Sequence, residues 1–193
     1  SDEIYLKNFD SLELASEAII AKEFEACTFT NCDFSEATFN KCKFVDCKFI
    51  KCNLSVIRLV YSKFWDVEFE ECKVMGVDWT QADWSNIALR SPLKFYNSSL
   101  NDCSFFGLNL EEIVVEACSV HNTDFREANL IEANFTHSDF SGSLFHHTNL
   151  TRADFCEATD YDINIYDNNI TKAKFIRYEA VRLLESLDVE LVD

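Results

Sequence analysis

Glycine, proline and methionine are nearly absent from this 193-residue chain, which has 3, 1 and 1 of them. So little Gly and Pro excludes collagen-like and linker-like chains. Cations are scarce as well: 17 Lys and Arg stand against 34 Asp and Glu, a formal charge of −17. A phosphate backbone repels such a chain, which excludes direct nucleic-acid binding, and adhesion to an anionic membrane is excluded likewise. No apolar run approaches the roughly 18–20 residues that span a bilayer. Ser1-Asp2-Glu3-Ile4 has no basic segment followed by an apolar one, so no signal peptide is expected. What the chain does have is 48% apolar residues, 18 Phe and 9 Cys. That is enough apolar surface for a large core and a single domain. The natural partner of so acidic a surface is a basic one.

The large apolar residues recur every five positions. They fall at Ile4, Phe9, Leu14, Ile19, Phe24 and Phe29, and the beat continues to Trp84 and Leu89. It slips by one residue, resumes at Phe95, and ends through Ile165, Ile170 and Phe175, with a weak beat at Asp160. Only Phe106 among the Phe is off the beat. With the beat as position i, position i−2 is small, as in Cys27, Ala37, Cys52, Val77 and Ala153, and i−1 favours Asp or Asn. A strand alternates from one position to the next and a helix repeats in fewer than four, so neither element fits alone. A five-residue unit with two inward positions requires a chain that turns at each unit, and four units close a square coil. Coils then stack about 4.8 Å apart. The 35 beats correspond to about nine coils and a rod about 42 Å long. The expected core ladder includes Phe29, Phe34, Phe39, Phe44, Phe49, Phe125, Phe135, Phe145 and Phe155.

The same repeat accounts for the cysteines. Eight of them sit at i−2, where Cys replaces Ala as a small inward hydrophobe, and only Cys156 should face outward. Successive Cys lie on different faces, so they do not converge on a metal. Free thiols point to a reducing cytoplasm. His146 and His147 are adjacent and outward, with no third ligand at a convincing spacing. No nucleophile–base pair or phosphate-cradling Gly loop is present. The expectation is therefore a protein that is not an enzyme and that takes no metal and no cofactor.

Three segments break the pattern. Residues 1–23 carry large or charged i−2 residues, including Asp2, Lys7, Leu12, Glu17 and Lys22. This reads as an irregular N-terminal cap, with a short helix between Ser11 and Ala21 as the alternative. Residues 89–99 hold the only Pro and the slip in register, so a loop insertion is expected there. Its partner-contacting residues would be Leu89, Arg90, Ser91, Pro92, Leu93 and Lys94, with a tolerated surface insertion as the alternative. The β-helix ends at 175, and 176–193 turns helical, with Val181, Leu184 and Leu187 on one face. A two-fold partner covering this end stops end-to-end polymerisation. The expected homodimer seam is Ile176, Tyr178, Val181, Leu184 and Leu187.

On this motif the chain resembles the pentapeptide-repeat family, which implies an all-β solenoid, a right-handed quadrilateral β-helix. Within the family it is most similar to the topoisomerase-protecting branch: the quinolone-resistance proteins, the microcin B17 immunity protein and especially the albicidin-resistance protein. The similar stretches are Val74 to Trp79, Leu100 to Leu108, and the ending Glu179 to Leu191. The resemblance implies a dimeric DNA mimic in the cytoplasm that binds DNA gyrase, with topoisomerase IV as a second target. It would shield the enzyme from a poison, as antibiotic resistance or self-immunity. A dimer about 80–90 Å long would match about 25 base pairs of DNA. The expected mimic surface is Asp66, Glu68, Glu70, Glu71, Glu111, Glu112, Glu116, Asp124, Glu127, Glu132, Asp154 and Glu157. The unbroken beat from Phe24 to Leu89 leaves no room for the smaller loop of the quinolone-resistance proteins, which favours a poison other than a fluoroquinolone. A scaffold protein with another partner, its charge serving solubility, is the alternative.

Overall fold

The structure, a computed structural model, describes residues 2–85, 93–190 and 192. Its strands are two to four residues long, and every pairing among them is parallel. Four stacks of rungs form four faces, numbered here in chain order. Ile4, Phe24, Phe44 and Phe64 begin the first. Phe9, Phe29, Phe49 and Phe69 begin the second. The third runs through Glu13, Asp33, Asn53 and Lys73, and the fourth pairs Ala18–Ile20 with Thr38–Asn40. Partners on a face are twenty positions apart, so each coil takes four five-residue sides. The chain makes about eight such turns, against the nine expected, which at about 4.8 Å per turn gives a rod about 38 Å long.

The first coil keeps this register, with Asp2 opposite Lys22. Ala18–Ile20 is a strand and not the alternative short helix. The inner face of this first coil is open among the described residues. Ile4, Phe9, Leu12, Leu14 and Ile19 are therefore only partly buried, and they line an apolar hollow of about 220 Å³.

The rod turns almost without glycine. The residue two after most beats adopts a positive φ of about 50–60°, as at Leu6, Ser11, Ala21, Ala26 and Asn31, whereas Gln81 after Trp79 lies in a 3₁₀ turn. Left-handed backbone costs a non-glycine residue roughly 1–2 kcal/mol. The corner N–H offsets part of that cost by bonding to the next coil: Leu6 to Glu25 O at 3.0 Å, Ala26 to Val45 O at 2.9 Å, Asn31 to Ile50 O at 2.9 Å.

Inside, rings stack along the axis. On the second face Phe9, Phe29, Phe49, Phe69 and Phe95 follow one another at 4.7–5.1 Å with planes within 12°. Neighbouring columns meet edge to face, as Phe24 does Phe29 at 5.4 Å. All nine expected ladder Phe are buried.

Two irregularities interrupt the register. Phe69 faces Phe95, a separation of 26 in place of 20, so six residues are extra. The strand resumes at Leu93–Tyr96. Near the end, Phe145 faces Ile163, a separation of 18. The inward residue is thus Ile163 and not Ile165. The cause is Tyr161, which is fully buried and packs 5.5 Å from Phe155 and 5.3 Å from Phe175. It occupies the space that the exposed Asp160 leaves.

The i−2 cysteines do more than fill space. Some corners close a local turn, as when Ala37 N–H bonds to Phe34 O at 2.9 Å and Ala153 N–H to Leu150 O at 3.0 Å. At others the N–H bonds instead to a polar i−2 side chain of the next coil. Cys32 N–H donates to Cys52 Sγ at 3.4 Å, Cys42 N–H to Ser62 Oγ at 3.0 Å, and Cys118 N–H to Ser138 Oγ at 3.0 Å. The accepting side chain then donates in turn to a carbonyl of the coil before it. Ser62 reaches Phe39 O at 2.9 Å and Ser138 reaches Val115 O at 2.9 Å. Thr148 and Asn168 repeat the arrangement. A buried backbone N–H left unmatched costs about 1–3 kcal/mol, so Cys, Ser and Thr at these corners act as hydrogen-bond bridges between coils. The cysteines keep the small inward place expected of them and add hydrogen bonds to it.

Candidate interaction surfaces

The expected acidic surface is divided by its neighbours. Because residues one coil apart stand side by side, a cation on a neighbouring coil reaches an acid directly. Glu68 pairs with Lys48 at 3.2 Å, Glu71 with Lys51 at 3.7 Å, Glu132 with Arg152 at 2.8 Å and Asp154 with Lys174 at 2.8 Å. Asp66 pairs with Lys94 at 2.5 Å and Asp124 with Arg126 at 2.7 Å. The hydrogen bond to Asp66 raises the pKa of Lys94 above its ordinary value. Arg126 and Lys174 are likewise held charged by bonds to Asp124 and Asp154. Glu111 and Glu116 instead accept Asn129 and Asn134 Nδ2, each at 3.0 Å. Such exposed pairs are worth about 0–1 kcal/mol each, but they do cancel charge locally.

The middle of the rod carries the largest excess of acids, because cations are nearly missing there. Residues 95–151 contain Asp102, Glu111, Glu112, Glu116, Asp124, Glu127, Glu132 and Asp139, with Arg126 as their sole Lys or Arg. The Asp66–Glu71 stretch, by contrast, is interleaved with Lys48, Lys51 and Lys94.

Of the expected loop, Leu89, Arg90, Ser91 and Pro92 lie outside the described residues. Leu93 and Lys94 are not loop residues: Leu93 is fully buried opposite Val67, and Lys94 stands opposite Glu68. They are the i−2 and i−1 positions of the Phe95 beat.

The C-terminal segment Glu179–Leu187 is a 3₁₀ helix of nine residues. Its three-residue turn places every third side chain in line. Leu183 packs against the core, and Ser186 Oγ accepts Ile165 N–H at 3.4 Å. Arg182 ties the helix down through Asp160 at 2.5 Å and Glu179 at 3.1 Å. On the outer line Tyr178, Val181, Leu184 and Leu187 form an exposed ridge, with Ile176 half-buried below it.

His146 lies 3.9 Å from His147, ring to ring, and 3.5 Å from Asp167. Among the described residues no group of three or more His, Cys, Asp or Glu is placed to hold a metal. Nor is any helix among them long and apolar enough to cross a membrane. All nine Cys are free, eight of them buried and Cys156 half-buried.

Square coils of four five-residue sides, stacked in parallel around an aromatic ladder, define a β-solenoid of five-residue period. A family model described as a pentapeptide repeat region matches residues 22–92 and 91–155, and the chain belongs to the pentapeptide-repeat family. Among solved structures it is similar to QnrB1, described as a plasmid-mediated fluoroquinolone resistance protein. One trypsin-treated variant of QnrB1 is 21% identical with a TM-score of 0.57, covering 100% of this chain and 98% of that one. A second is 23% identical with a TM-score of 0.53, covering 96% and 100%. The full-length form is 24% identical with a TM-score of 0.50, covering 94% and 100%. No curated protein sequence matches the chain.

Proposed function

We propose that the chain is an acidic DNA-mimicking rod that binds DNA gyrase, with topoisomerase IV as a second target, and shields it from a poison that traps cleaved DNA. It acts in the cytoplasm, where free thiols persist, as a homodimer and without catalysis of its own. The observation that carries this reading is the belt over residues 95–151, eight acids against one cation on a narrow, rigid rod. Fixed anionic charge with so few compensating cations can stand in for a phosphate backbone on a basic surface. The fold likeness to QnrB1, a resistance protein, supports the same reading. Coils from Phe24 to Phe64 keep their register without a loop, which favours albicidin or a similar poison over a fluoroquinolone.

In a gyrase supercoiling assay across a panel of poisons, the purified protein is expected to restore activity against at least one. No effect on gyrase at micromolar protein, with or without poison, overturns the reading. A scaffold role with another partner is the second reading. The ion pairs along the second face, which neutralise part of the acidic surface, favour it.

The exposed ridge Tyr178, Val181, Leu184 and Leu187 forms the proposed dimer seam. Leu184→Arg places a charge in it and is expected to halve the mass seen by light scattering while leaving the circular dichroism spectrum unchanged. A dimer that survives this change moves the seam elsewhere.

A further inference from the structure

The exposed large apolar residues are not spread evenly around the rod. Between Lys7 and Ile165 the described ones are Ile20, Val56, Tyr61, Phe106 and Leu144. Ile20, Phe106 and Leu144 belong to the fourth face, and Val56 and Tyr61 stand at the two corners that bound it. The other three faces have none in this span among the described residues. Phe106, the single Phe off the beat, is 41% exposed, and Leu144, two coils further on, is 47% exposed. Between their rungs stands Arg126. Its guanidinium lies 5.6 Å from the Phe106 ring centre, and two bonds to Asp124, at 2.9 and 2.7 Å, fix it there.

From this geometry we infer that the fourth face is the side of the rod that docks on the partner, with Phe106, Arg126 and Leu144 at the centre of contact. Stable interfaces combine an apolar, aromatic or Arg-bearing centre with a polar rim. Here the centre is preorganised: the Asp124 anchor spares Arg126 the loss of freedom that binding otherwise imposes. The rim sets the partner's chemistry. Asp78, Asp124 and Asp162 edge the strip on one side and Glu127 marks the opposite corner. The occupant is therefore a protein surface with apolar anchor residues set among Lys and Arg. This rests on the reading of a type II topoisomerase as partner, and it identifies which of the four faces the enzyme meets.

The test compares binding of the full chain and its variants to purified gyrase, by surface plasmon resonance at low and raised salt. Phe106→Ser combined with Leu144→Ser is expected to weaken binding about tenfold or more at both salts, because the lost contact is apolar. Thr28→Ala with Thr30→Ala, on the opposite second face and outside the acidic belt, is expected to leave the affinity within about threefold. Phe106→Tyr keeps the aromatic anchor and should bind like the parent, which a general folding defect would not allow. If the parent binds and the double Ser variant binds equally well, the fourth face is not the docking side and the proposed function stands. Failure of the parent itself to bind removes the proposed function and this inference together. If the double Ser variant halves the mass of the parent in light scattering, the strip joins two copies and the inference is overturned.

Discussion

Phe69→Ala is expected to lower the free energy of unfolding by about 3–5 kcal/mol, the usual cost of emptying a buried aromatic site. Phe69 is fully buried, stacked 5.1 Å from Phe49 and 4.9 Å from Phe95, with the Trp79 ring 5.8 Å away edge to face. It is also the rung below the six-residue insertion, where the ladder has to continue across a changed register. The strands flanking it are hydrogen-bonded on both sides and cannot collapse into the void, so the upper end of the range applies. Urea unfolding measures the loss. Phe106→Ala, with the same side chain removed from the surface, should stay within about 0.5 kcal/mol. Equal losses at the two positions would refute the ladder as the main source of stability.

Raising the pH past 9 is expected to destabilise the fold steeply. Burial pushes Cys47 up to about 11 and Cys103 and Cys118 up to about 12, and it also raises Cys32 and Cys42. In the pair Cys52 and Cys72, the bond between them and burial hold Cys52 well above the ordinary thiol value. An unfolded thiol loses its proton near 9, so above that pH the unfolded chain binds fewer protons than the folded one. The stabilisation from these thiols is whole below the unfolded value and is lost as pH climbs toward the folded values. Each of them removes up to about 1.4 kcal/mol per pH unit over that interval. Burial also raises Tyr161, to about 12, which adds to the slope above 10. Melting temperatures in reducing buffer between about pH 8 and 10.5 follow the effect. Cys118→Ser keeps a side chain that can bridge the coils and removes one ionisable group, so it should flatten the curve. A melting temperature independent of pH over this range would contradict the buried-thiol account.

The winding of the fold was legible because a period needs only spacing. Phe9, Phe29, Phe49 and Phe69 announce both the inward direction and the length of the coil. The neutralisation of Glu68 and Glu71 was legible too, since Lys48 and Lys51 stand one coil before them and the same arithmetic pairs them. Leu93 and Lys94 could have been assigned to the strand by counting back from Phe95. The hydrogen-bond role of Cys52, Ser62 and Cys72 was not legible. Whether a corner N–H closes its own turn, as at Ala37, or needs a partner from the next coil, as at Cys42, depends on backbone torsions that one five-residue motif conceals. The shift from Ile165 to Ile163 depends likewise on the fit of Tyr161 between Phe155 and Phe175, a matter of volume and not of spacing. The concentration of exposed apolar residues on one face emerges only once each is assigned to a side of the square.

The regular register also governs how such a chain reaches its native state. Long-range β pairing ordinarily makes an all-β protein a slow folder, because distant segments must find one another. Here each rung meets the rung one coil away, as Phe9 meets Phe29, and that separation is short against the 193 positions of the chain. It gives a relative contact order of about 0.1, in the range of helical bundles. Once two coils have formed, every later coil adds to an edge already in place and closes a loop of the same length. The insertion before Phe95 lengthens one closure by six positions, and the entropy of closure grows only with the logarithm of loop length. The rod can therefore carry these six extra positions with little delay to the growth of the ladder.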